Sequence, residues 1–283
     1  MLSTARDVLA HARAHRYAVP AFDCVEDVFV RAVLETATAC RSPVFLMCLE
    51  PDMVGNGWEY FSGLVRAVAP QHDIPIVLHL DHTTSLESIE RAIRLGFTSV
   101  MFDGSAMPFD ENVRSTRAAV ELAHAHGVSV EAELGRVGGM DLEESQATEN
   151  VLTDPAEVAE FVARTGVDSL AVSIGTSHGV YRSLPKLHIE RLKELDAASP
   201  VPLVLHGGSG TPEDQVREAV CHGICKMNFY ADCRIALRRG AERAVAALRR
   251  PDPLPSEIFG PMREEIAGVV RQKIELLGAG GRV

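Results

Sequence analysis

The chain has 283 residues and a net charge of −11, and its 46% hydrophobic and 24% charged content is that of an ordinary globular protein. The acidic balance argues against a nucleic-acid partner, because a phosphate backbone binds to a basic face, but it does not exclude a small phosphorylated substrate. No apolar run approaches the ~18 residues needed to span a membrane. The first residues lack the apolar core of a signal peptide, and six cysteines without a C-x-x-C pair are expected to be free thiols. We therefore expect a cytoplasmic protein without a membrane partner.

Eight short β-rich runs alternate with helical patterns along the chain. The predicted strands are residues 17–22, 43–49, 74–82, 99–104, 128–135, 169–175, 202–209 and 224–229. This alternation is typical of a (β/α)8 TIM barrel, an α/β fold. An open doubly wound sheet is the alternative, but the near-even spacing of the strands favours closure.

Helix signals fill the segments between these strands. Residues 85–96 have apolar residues at helical spacing and Gly96 as a C-cap, and another helix is predicted to begin with Thr211 as its N-cap. Residues 261–279 predict a final helix that packs on the barrel or on a partner subunit. Since no low-complexity linker divides the chain, we expect one domain over residues 1–283 with a C-terminal helical extension.

Polar residues interrupt the apolar pattern at the carboxyl ends of the predicted strands. They are Asp81 and His82, Glu131 and Glu133, His178, His206 and Asn228. The active sites of parallel barrels form at these ends, so the side chains should meet at one mouth. A single strand-end histidine more often only forms hydrogen bonds, but three of them beside carboxylates favour a catalytic Zn²⁺ site. His79 is expected to point into or against the barrel wall instead.

A glycine-rich turn, HGGSG at residues 206–210, leads directly into a helix. Exposed backbone N–H groups and the helix dipole favour an anion there, and barrels frequently bind phosphate after strands seven and eight. Glycines in such a turn can also have only a conformational role. The position of this turn after a candidate ligand histidine favours a phosphate site.

Seven stretches, taken together, resemble the class II, zinc-dependent ketose-bisphosphate aldolases, in their fructose- and tagatose-bisphosphate branch. They are AVPAF, LHLDH, GFTSVMFDGS, EAELGRVGG, DSLAVSIGTSHGVY, PLVLHGGSG and GICKMN, in this order over nearly the whole chain. The resemblance implies reversible cleavage of a phosphorylated ketose to dihydroxyacetone phosphate and an aldehyde, through a metal-stabilised enediolate. It also implies a homodimer or homotetramer.

The resemblance also implies roles for individual residues. His82, His178 and His206 match the zinc ligands, and Glu133 matches a carboxylate that can approach the metal. Asp81 matches the acid/base that accepts a proton from the substrate hydroxyl during cleavage and returns it during condensation. The chemistry agrees, since a Lewis-acidic metal can stabilise an enediolate without a Schiff-base lysine.

Further positions match the loops that hold the phosphate and backbone of dihydroxyacetone phosphate. We expect substrate contacts from Gly179, Gly207, Gly208, Ser209, Asn228, Tyr230 and Ala231. The family also implies a monovalent cation, such as Na⁺ or K⁺, near the phosphate.

Several residues depart from the family pattern. Asp23 stands where an asparagine is usual, and Ala231 replaces a threonine of the phosphate loop. The lost hydroxyl removes a hydrogen bond of roughly 1.5–3 kcal/mol to a charged partner. Tyr230 adds a bulky ring, and Asp23 and Asp232 are expected to add repulsion toward a phosphate.

The segment after GRVGG usually holds a glutamate that removes a proton from the ketose-phosphate carbon. Asp141 falls at that place, and Glu143 or Glu144 is the alternative if the segment is shifted. A solvated acidic loop without a catalytic role is the simpler interpretation.

Three classes of function compete. The first is a zinc-dependent aldolase, including a variant of altered specificity that acts on an unusual or less phosphorylated sugar. The second is a metal-dependent isomerase or epimerase on the same barrel. The third is a non-catalytic sugar-phosphate-binding paralogue, which would have no need of the acid at Asp81.

Overall fold

The computed structural model describes residues 2–139, 149–179, 181 and 183–283. These residues form ten β-strands: Val19–Asp23 (β1), Val44–Leu49 (β2), Ile76–Thr83 (β3), Ser99–Phe102 (β4), Ser129–Leu134 (β5), Gly138–Gly139 (β6), Ser169–Val172 (β7), Ser177–His178 (β8), Leu203–Leu205 (β9) and Ile224–Phe229 (β10). Eight of them close into a parallel barrel in the order β1-β10-β9-β7-β5-β4-β3-β2, and β6 pairs with β8 in a separate small sheet. The predicted (β/α)8 barrel is confirmed, and the open-sheet alternative is wrong.

Helices alternate with the strands and cover the barrel. The described α-helices are Ala5–His15 (α1), Asp27–Ala39 (α2), Gly57–Val68 (α3), Leu86–Arg94 (α4), Phe109–His124 (α5), Pro155–Thr165 (α6), Ile189–Ala198 (α7), Glu213–Cys221 (α8), Ala231–Ala247 (α9) and Pro255–Leu276 (α10). A short 3₁₀ helix, Glu50–Asp52, follows β2. Within the described residues, no helix combines the length and apolar character that a membrane crossing requires.

The barrel strands are buried on both faces, which explains their apolar sequences. Every residue of β1 is buried, and Phe22 and Leu78 have no exposed surface. Burying one such side chain contributes about 1.5–3 kcal/mol relative to leaving it in water. Against this background, the buried polar residues of β3, His79 and Asp81, stand out as groups that need specific partners.

One helix start and one helix end differ from the sequence-based prediction. α8 begins at Glu213 with Pro212 at its N-cap, and the Thr211 hydroxyl instead donates a hydrogen bond to the Gly207 carbonyl at 3.1 Å. Thr211 therefore closes the glycine-rich turn rather than capping the helix. At α4, Gly96 has a positive φ of 84° but lies one residue beyond the C-cap.

The C-terminal helix α10 begins at residue 255 rather than 261. Pro255 is at the first helical position, where its missing N–H is tolerated, and the Glu257 carboxylate accepts a hydrogen bond from the Leu254 N–H at 2.6 Å. Pro261, the predicted start, lies inside the helix. The helix packs against α9 and α2.

Candidate metal centre and active site

Three histidines meet at the carboxyl end of the barrel. His82 lies in β3, His178 ends β8, and His206 follows β9. Their ring centroids are 5.0 Å apart for His82 and His178, 4.6 Å for His82 and His206, and 5.8 Å for His178 and His206. One ring nitrogen from each lies within 4.8 Å of the others. The structure therefore brings together the three residues that the sequence singled out.

An irregular backbone and a carboxylate orient His82. The register between β3 and β4 shifts after Leu80, and His82 has a positive φ of 37°, which is uncommon outside glycine. Its Nδ1 lies 2.9 Å from Oδ2 of Asp103, the residue after β4, and its Nε2 makes no hydrogen bond within the described residues. Burial would lower the pKa of His82, but Asp81 and Asp103 outweigh it and raise that pKa well above its ordinary value.

A buried ion pair orients His206. The Glu131 carboxylate lies 3.0 Å from His206 Nε2 and accepts bonds of 3.0 and 2.9 Å from the Lys226 ammonium. Burial would raise the pKa of Glu131, but Lys226 and His206 lower it to about 2, so the carboxylate is ionised. Burial, together with the charge of His82, lowers the pKa of His206 to about 4. A neutral ring with a fixed orientation is the form that binds a metal.

The nitrogen of His206 that faces the cluster is Nδ1. It makes no hydrogen bond in the described part of the chain and lies 3.4 Å from Oε2 of Glu133, whose Oε1 accepts a hydrogen bond from the Val137 N–H at 2.9 Å. Three imidazoles with an adjacent carboxylate form a donor set that suits Zn²⁺. On these observations the residues fit a divalent metal ion.

Asp81 lies beside the three histidines but is not one of the predicted metal ligands. It is 3% exposed, and its two oxygens accept hydrogen bonds of 3.2 and 3.1 Å from the side-chain amide of Asn228. Burial would raise its pKa, but His82 and His79 lower it well below the usual value, so Asp81 is ionised.

His79 lies behind Asp81 and outside the group formed by the other three histidines. Its Nδ1 is 2.7 Å from the Ser99 hydroxyl, and its Nε2 is 3.6 Å from Asp81 Oδ1. Its ring is fully buried against Phe45 in the barrel interior, as the strand pattern predicted. The structure adds a contact that the sequence did not indicate, since the His79 ring lies next to Asp81, although its Nε2 makes no hydrogen bond within the described residues.

A cavity of about 290 Å³ opens in front of these groups. All seven predicted substrate residues line it, and so do Asp23, which was expected to repel a phosphate, and two residues that the sequence did not indicate, Leu49 and Arg234. Arg234 lies one helical turn after Tyr230, and its guanidinium is 5.1 Å from the centre of the Tyr230 ring. This spacing of one helical turn from Tyr230 was the sequence signal that could have identified Arg234 as a residue of the cavity.

Close backbone contacts explain the glycine-rich turn. A Cβ on Gly207, where φ is 69°, would lie 2.5 Å from the Ser177 carbonyl oxygen, and one on Gly208 would lie 2.6 Å from that of Asn228. Tyr181, which the sequence did not indicate, donates a hydrogen bond to the Gly207 carbonyl at 2.8 Å. The turn therefore packs tightly against the loop that carries His178.

The turn is also joined to the start of α9. The Ser209 hydroxyl accepts a hydrogen bond of 3.2 Å from the Asp232 N–H, and Asp232 Oδ2 lies 2.6 Å from the Lys273 ammonium of α10. The ion pair compensates the charge of Asp232, so the expected repulsion toward a phosphate is reduced there. Asp141, Glu143 and Glu144, the candidate bases, lie outside the described residues.

Asp23 lines the cavity, and Asp52 is hydrogen-bonded to another lining residue, Tyr230. Asp23 is 3% exposed, and its Oδ1 makes no hydrogen bond within the described residues. Burial, followed by the charges of Asp81 and Asp52, raises its pKa well above the ordinary value. The Tyr230 hydroxyl donates a short hydrogen bond of 2.6 Å to Asp52 Oδ2.

Comparison with known proteins gives consistent matches over the whole chain. A family model described as fructose-bisphosphate aldolase class-II matches residues 3–282. A fructose-bisphosphate aldolase of Giardia intestinalis is 39% identical over 307 aligned residues, which cover 99% of this chain and 94% of the relative.

Solved structures agree. The crystal structure of the YdjI aldolase of Escherichia coli K12 is 34% identical, with a TM-score of 0.89 over 100% of this chain and 99% of that one. A fructose-bisphosphate aldolase of Campylobacter jejuni, with a TM-score of 0.84, covers 100% of this chain and 97% of its own, and at 24% identity it supports the fold alone.

Proposed function

The chain belongs to the class II fructose-bisphosphate aldolase family, and we propose that it is a zinc-dependent lyase that reversibly cleaves a phosphorylated ketose to dihydroxyacetone phosphate and an aldehyde. The observation that carries this proposal is the convergence of three imidazoles on one point beside the ionised Asp81. From the family resemblance we further propose a cytoplasmic homodimer or homotetramer.

His82, His178 and His206 would hold the zinc ion, with Glu133 as a further carboxylate beside it. When bound, zinc would supply the Lewis acidity that stabilises the negative charge left on the ketose as its carbon–carbon bond breaks. Asp103 and Glu131 keep the rings in the orientation that this binding needs. A monovalent cation near the phosphate, Na⁺ or K⁺, stays a prediction.

Asp81 carries out the proton transfer at the bond that breaks. In cleavage its carboxylate takes the proton of the hydroxyl that becomes the aldehyde oxygen, and in condensation it returns that proton. The Asn228 amide holds the carboxylate through two hydrogen bonds, so it stays in one position while it gains and loses the proton. Asp141 is proposed as the base that removes the proton from the ketose-phosphate carbon, with Glu143 or Glu144 as the alternative.

The phosphate of the substrate would bind at the glycine-rich turn and the start of α9. Backbone N–H groups at a helix N-terminus favour an anion, and Gly207, Gly208 and Ser209 line the cavity next to that terminus. Gly179, Tyr230 and Ala231 complete this side of the cavity, where Ala231 offers no hydroxyl to the phosphate.

A coupled assay for dihydroxyacetone phosphate tests the proposal. Metal-depleted protein would be given fructose 1,6-bisphosphate, tagatose 1,6-bisphosphate or fructose 1-phosphate, with and without added zinc. Zinc-restored release of triose phosphate is the expected result, and a zinc-loaded Asp81→Asn variant should bind the metal without releasing the product. Conversion of a ketose phosphate without triose release would instead favour an isomerase or epimerase.

A further inference from the structure

His178 differs from the other two proposed ligands in how its backbone is held. His82 lies in the barrel strand β3, and His206 directly follows the barrel strand β9. His178 lies in β8, which is outside the barrel and pairs, within the described residues, only with the two-residue strand β6. So short a ladder offers few hydrogen bonds, and the distance between His178 and His206 therefore depends on further contacts.

The Tyr181 hydroxyl makes such a contact. It accepts a hydrogen bond of 2.9 Å from the Ser177 N–H and donates one of 2.8 Å to the Gly207 carbonyl. Ser177 directly precedes His178 in the chain, and Gly207 directly follows His206. One oxygen atom therefore joins the backbones next to two of the three proposed ligands.

The same hydroxyl also holds the glycine-rich turn. The Thr211 hydroxyl donates a second hydrogen bond to the Gly207 carbonyl at 3.1 Å and lies 3.4 Å from the Tyr181 hydroxyl. The Tyr181 ring packs against Gly210, where an added Cβ would lie 3.2 Å from Cδ2 of the ring. Tyr181 is not among the described residues that line the cavity, so it supports the turn from behind and does not touch the substrate.

Resting on the aldolase function proposed above, we infer that Tyr181, with Thr211 beside it, is a positioning residue that holds the metal centre and the phosphate turn in one arrangement. Its hydroxyl sets the separation of the His178 and His206 backbones and keeps the turn where it lines the cavity. Without the hydroxyl, the Ser177 N–H and the Gly207 carbonyl lose their shared partner, and the two segments can move apart. The affinities for zinc and for phosphate should therefore fall together.

The pairing of β6 with β8 is the competing explanation for the position of His178. The side-chain amide of Asn150 also reaches this strand and donates a hydrogen bond of 3.2 Å to the Ser177 hydroxyl. If these contacts alone held His178, removing the Tyr181 hydroxyl would leave zinc binding unchanged. Neither contact involves the glycine-rich turn, so neither predicts a joint loss of zinc and phosphate affinity.

Tyr181→Phe tests the inference because it removes the hydroxyl and keeps the ring. Zinc affinity, measured by competition with a chromophoric chelator, should fall by about tenfold, the lower end of the range for a residue that supports a metal ligand, since Tyr181 acts through the backbone. The affinity of the metal-free protein for inorganic phosphate, measured by calorimetry, should fall in the same variant. The visible spectrum of the cobalt-loaded protein should also change, because it depends on the arrangement of the metal ligands.

Tyr17→Phe is the matched control. Tyr17 is 2% exposed, its hydroxyl lies 2.9 Å from His11 Nδ1, and it precedes β1 at the opposite end of the barrel. Loss of this hydroxyl should lower the thermal stability but leave both affinities and the cobalt spectrum unchanged. Asp103→Ala separates the two sites, because it should weaken zinc binding through His82 without weakening phosphate binding.

Three results would overturn the inference: a zinc affinity of Tyr181→Phe within twofold of the wild type, a loss confined to zinc or to phosphate, and an equal loss in Tyr17→Phe. If Tyr181→Phe does not fold, Thr211→Val replaces it, since it removes the other donor to the Gly207 carbonyl at nearly the same side-chain shape. A smaller joint loss is expected there, and unchanged affinities would overturn the inference. A wild-type protein that binds no zinc would reject the proposed metal centre itself. Zinc binding and triose phosphate release that persist unchanged in Tyr181→Phe would reject the inference alone.

Discussion

Replacing Asp103 with alanine should weaken zinc binding although Asp103 is not among the proposed ligands. The Asp103 carboxylate lies 2.9 Å from His82 Nδ1 and so leaves Nε2 directed at the cluster. Without this acceptor the ring can rotate and change tautomer. Loss of such an orienting partner typically lowers metal affinity 10–100-fold, which corresponds to about 1.4–2.8 kcal/mol. Asp103→Asn keeps an acceptor oxygen and should lose less affinity.

The affinity can be measured by competition with a chromophoric zinc chelator at fixed pH. Asp110→Ala, an exposed acid on the next helix that pairs with Arg164, is the matched control. Thermal unfolding without metal would show that each variant folds. Zinc affinity within twofold of the wild type in Asp103→Ala, or an equal loss in Asp110→Ala, would refute the orienting role of the carboxylate.

Three further outcomes are expected. Glu131→Leu leaves the fully buried ammonium of Lys226 without a carboxylate, so the free energy of unfolding in urea should fall by about 3–5 kcal/mol. The Glu131→Leu/Lys226→Met double variant should recover a large part of this loss. An equal loss in the double variant would contradict the pairing of Glu131 with Lys226. Because the folded state lowers the pKa of Glu131 from 4.5 to about 2, its stabilisation is fully present above pH 4.5 and is lost as the pH falls toward 2. The stability difference between the wild type and Glu131→Gln should shrink over that range, and a difference that is constant with pH would count against this account. Gly208→Ala places a Cβ 2.6 Å from the Asn228 carbonyl oxygen and should abolish measurable binding of inorganic phosphate in calorimetry. The control is Gly63→Ala, where α3 has open space for a methyl group, and it should keep phosphate binding and gain up to about 1 kcal/mol of stability. Equal phosphate binding in the two variants would show that the turn is not the anion site.

The convergence of His82, His178 and His206 was predictable because it follows from topology alone. Once eight apolar runs alternate with helices, the barrel rule places the carboxyl ends of all strands at one mouth. Polar residues at those ends must then share a site, whatever their separation in sequence. His79, which lies three residues before His82 in a buried strand, was predicted not to join them.

The interactions that orient these residues were not predictable in this way. Lys226 and Glu131 are 95 positions apart, and their pairing depends on side-chain directions across the barrel. The donation of Asn228 to Asp81 depends on the same directions, so its position in the sequence indicated only a substrate contact. The predicted start of α10 was wrong for a local reason. Pro255 and Pro261 both fit the first position of a helix, and only the contact of Glu257 with the Leu254 backbone distinguishes them.

The central claim is that three histidines hold a zinc ion that, together with Asp81, cleaves a ketose phosphate. The most direct measurement is to titrate metal-depleted protein with zinc while following both bound metal and the release of dihydroxyacetone phosphate. Activity is expected to rise in proportion to zinc up to about one ion per chain, and Asp81→Asn is expected to bind the same amount without releasing product. Product release that persists without metal, or bound zinc with no cleavage of any ketose phosphate supplied, would contradict it.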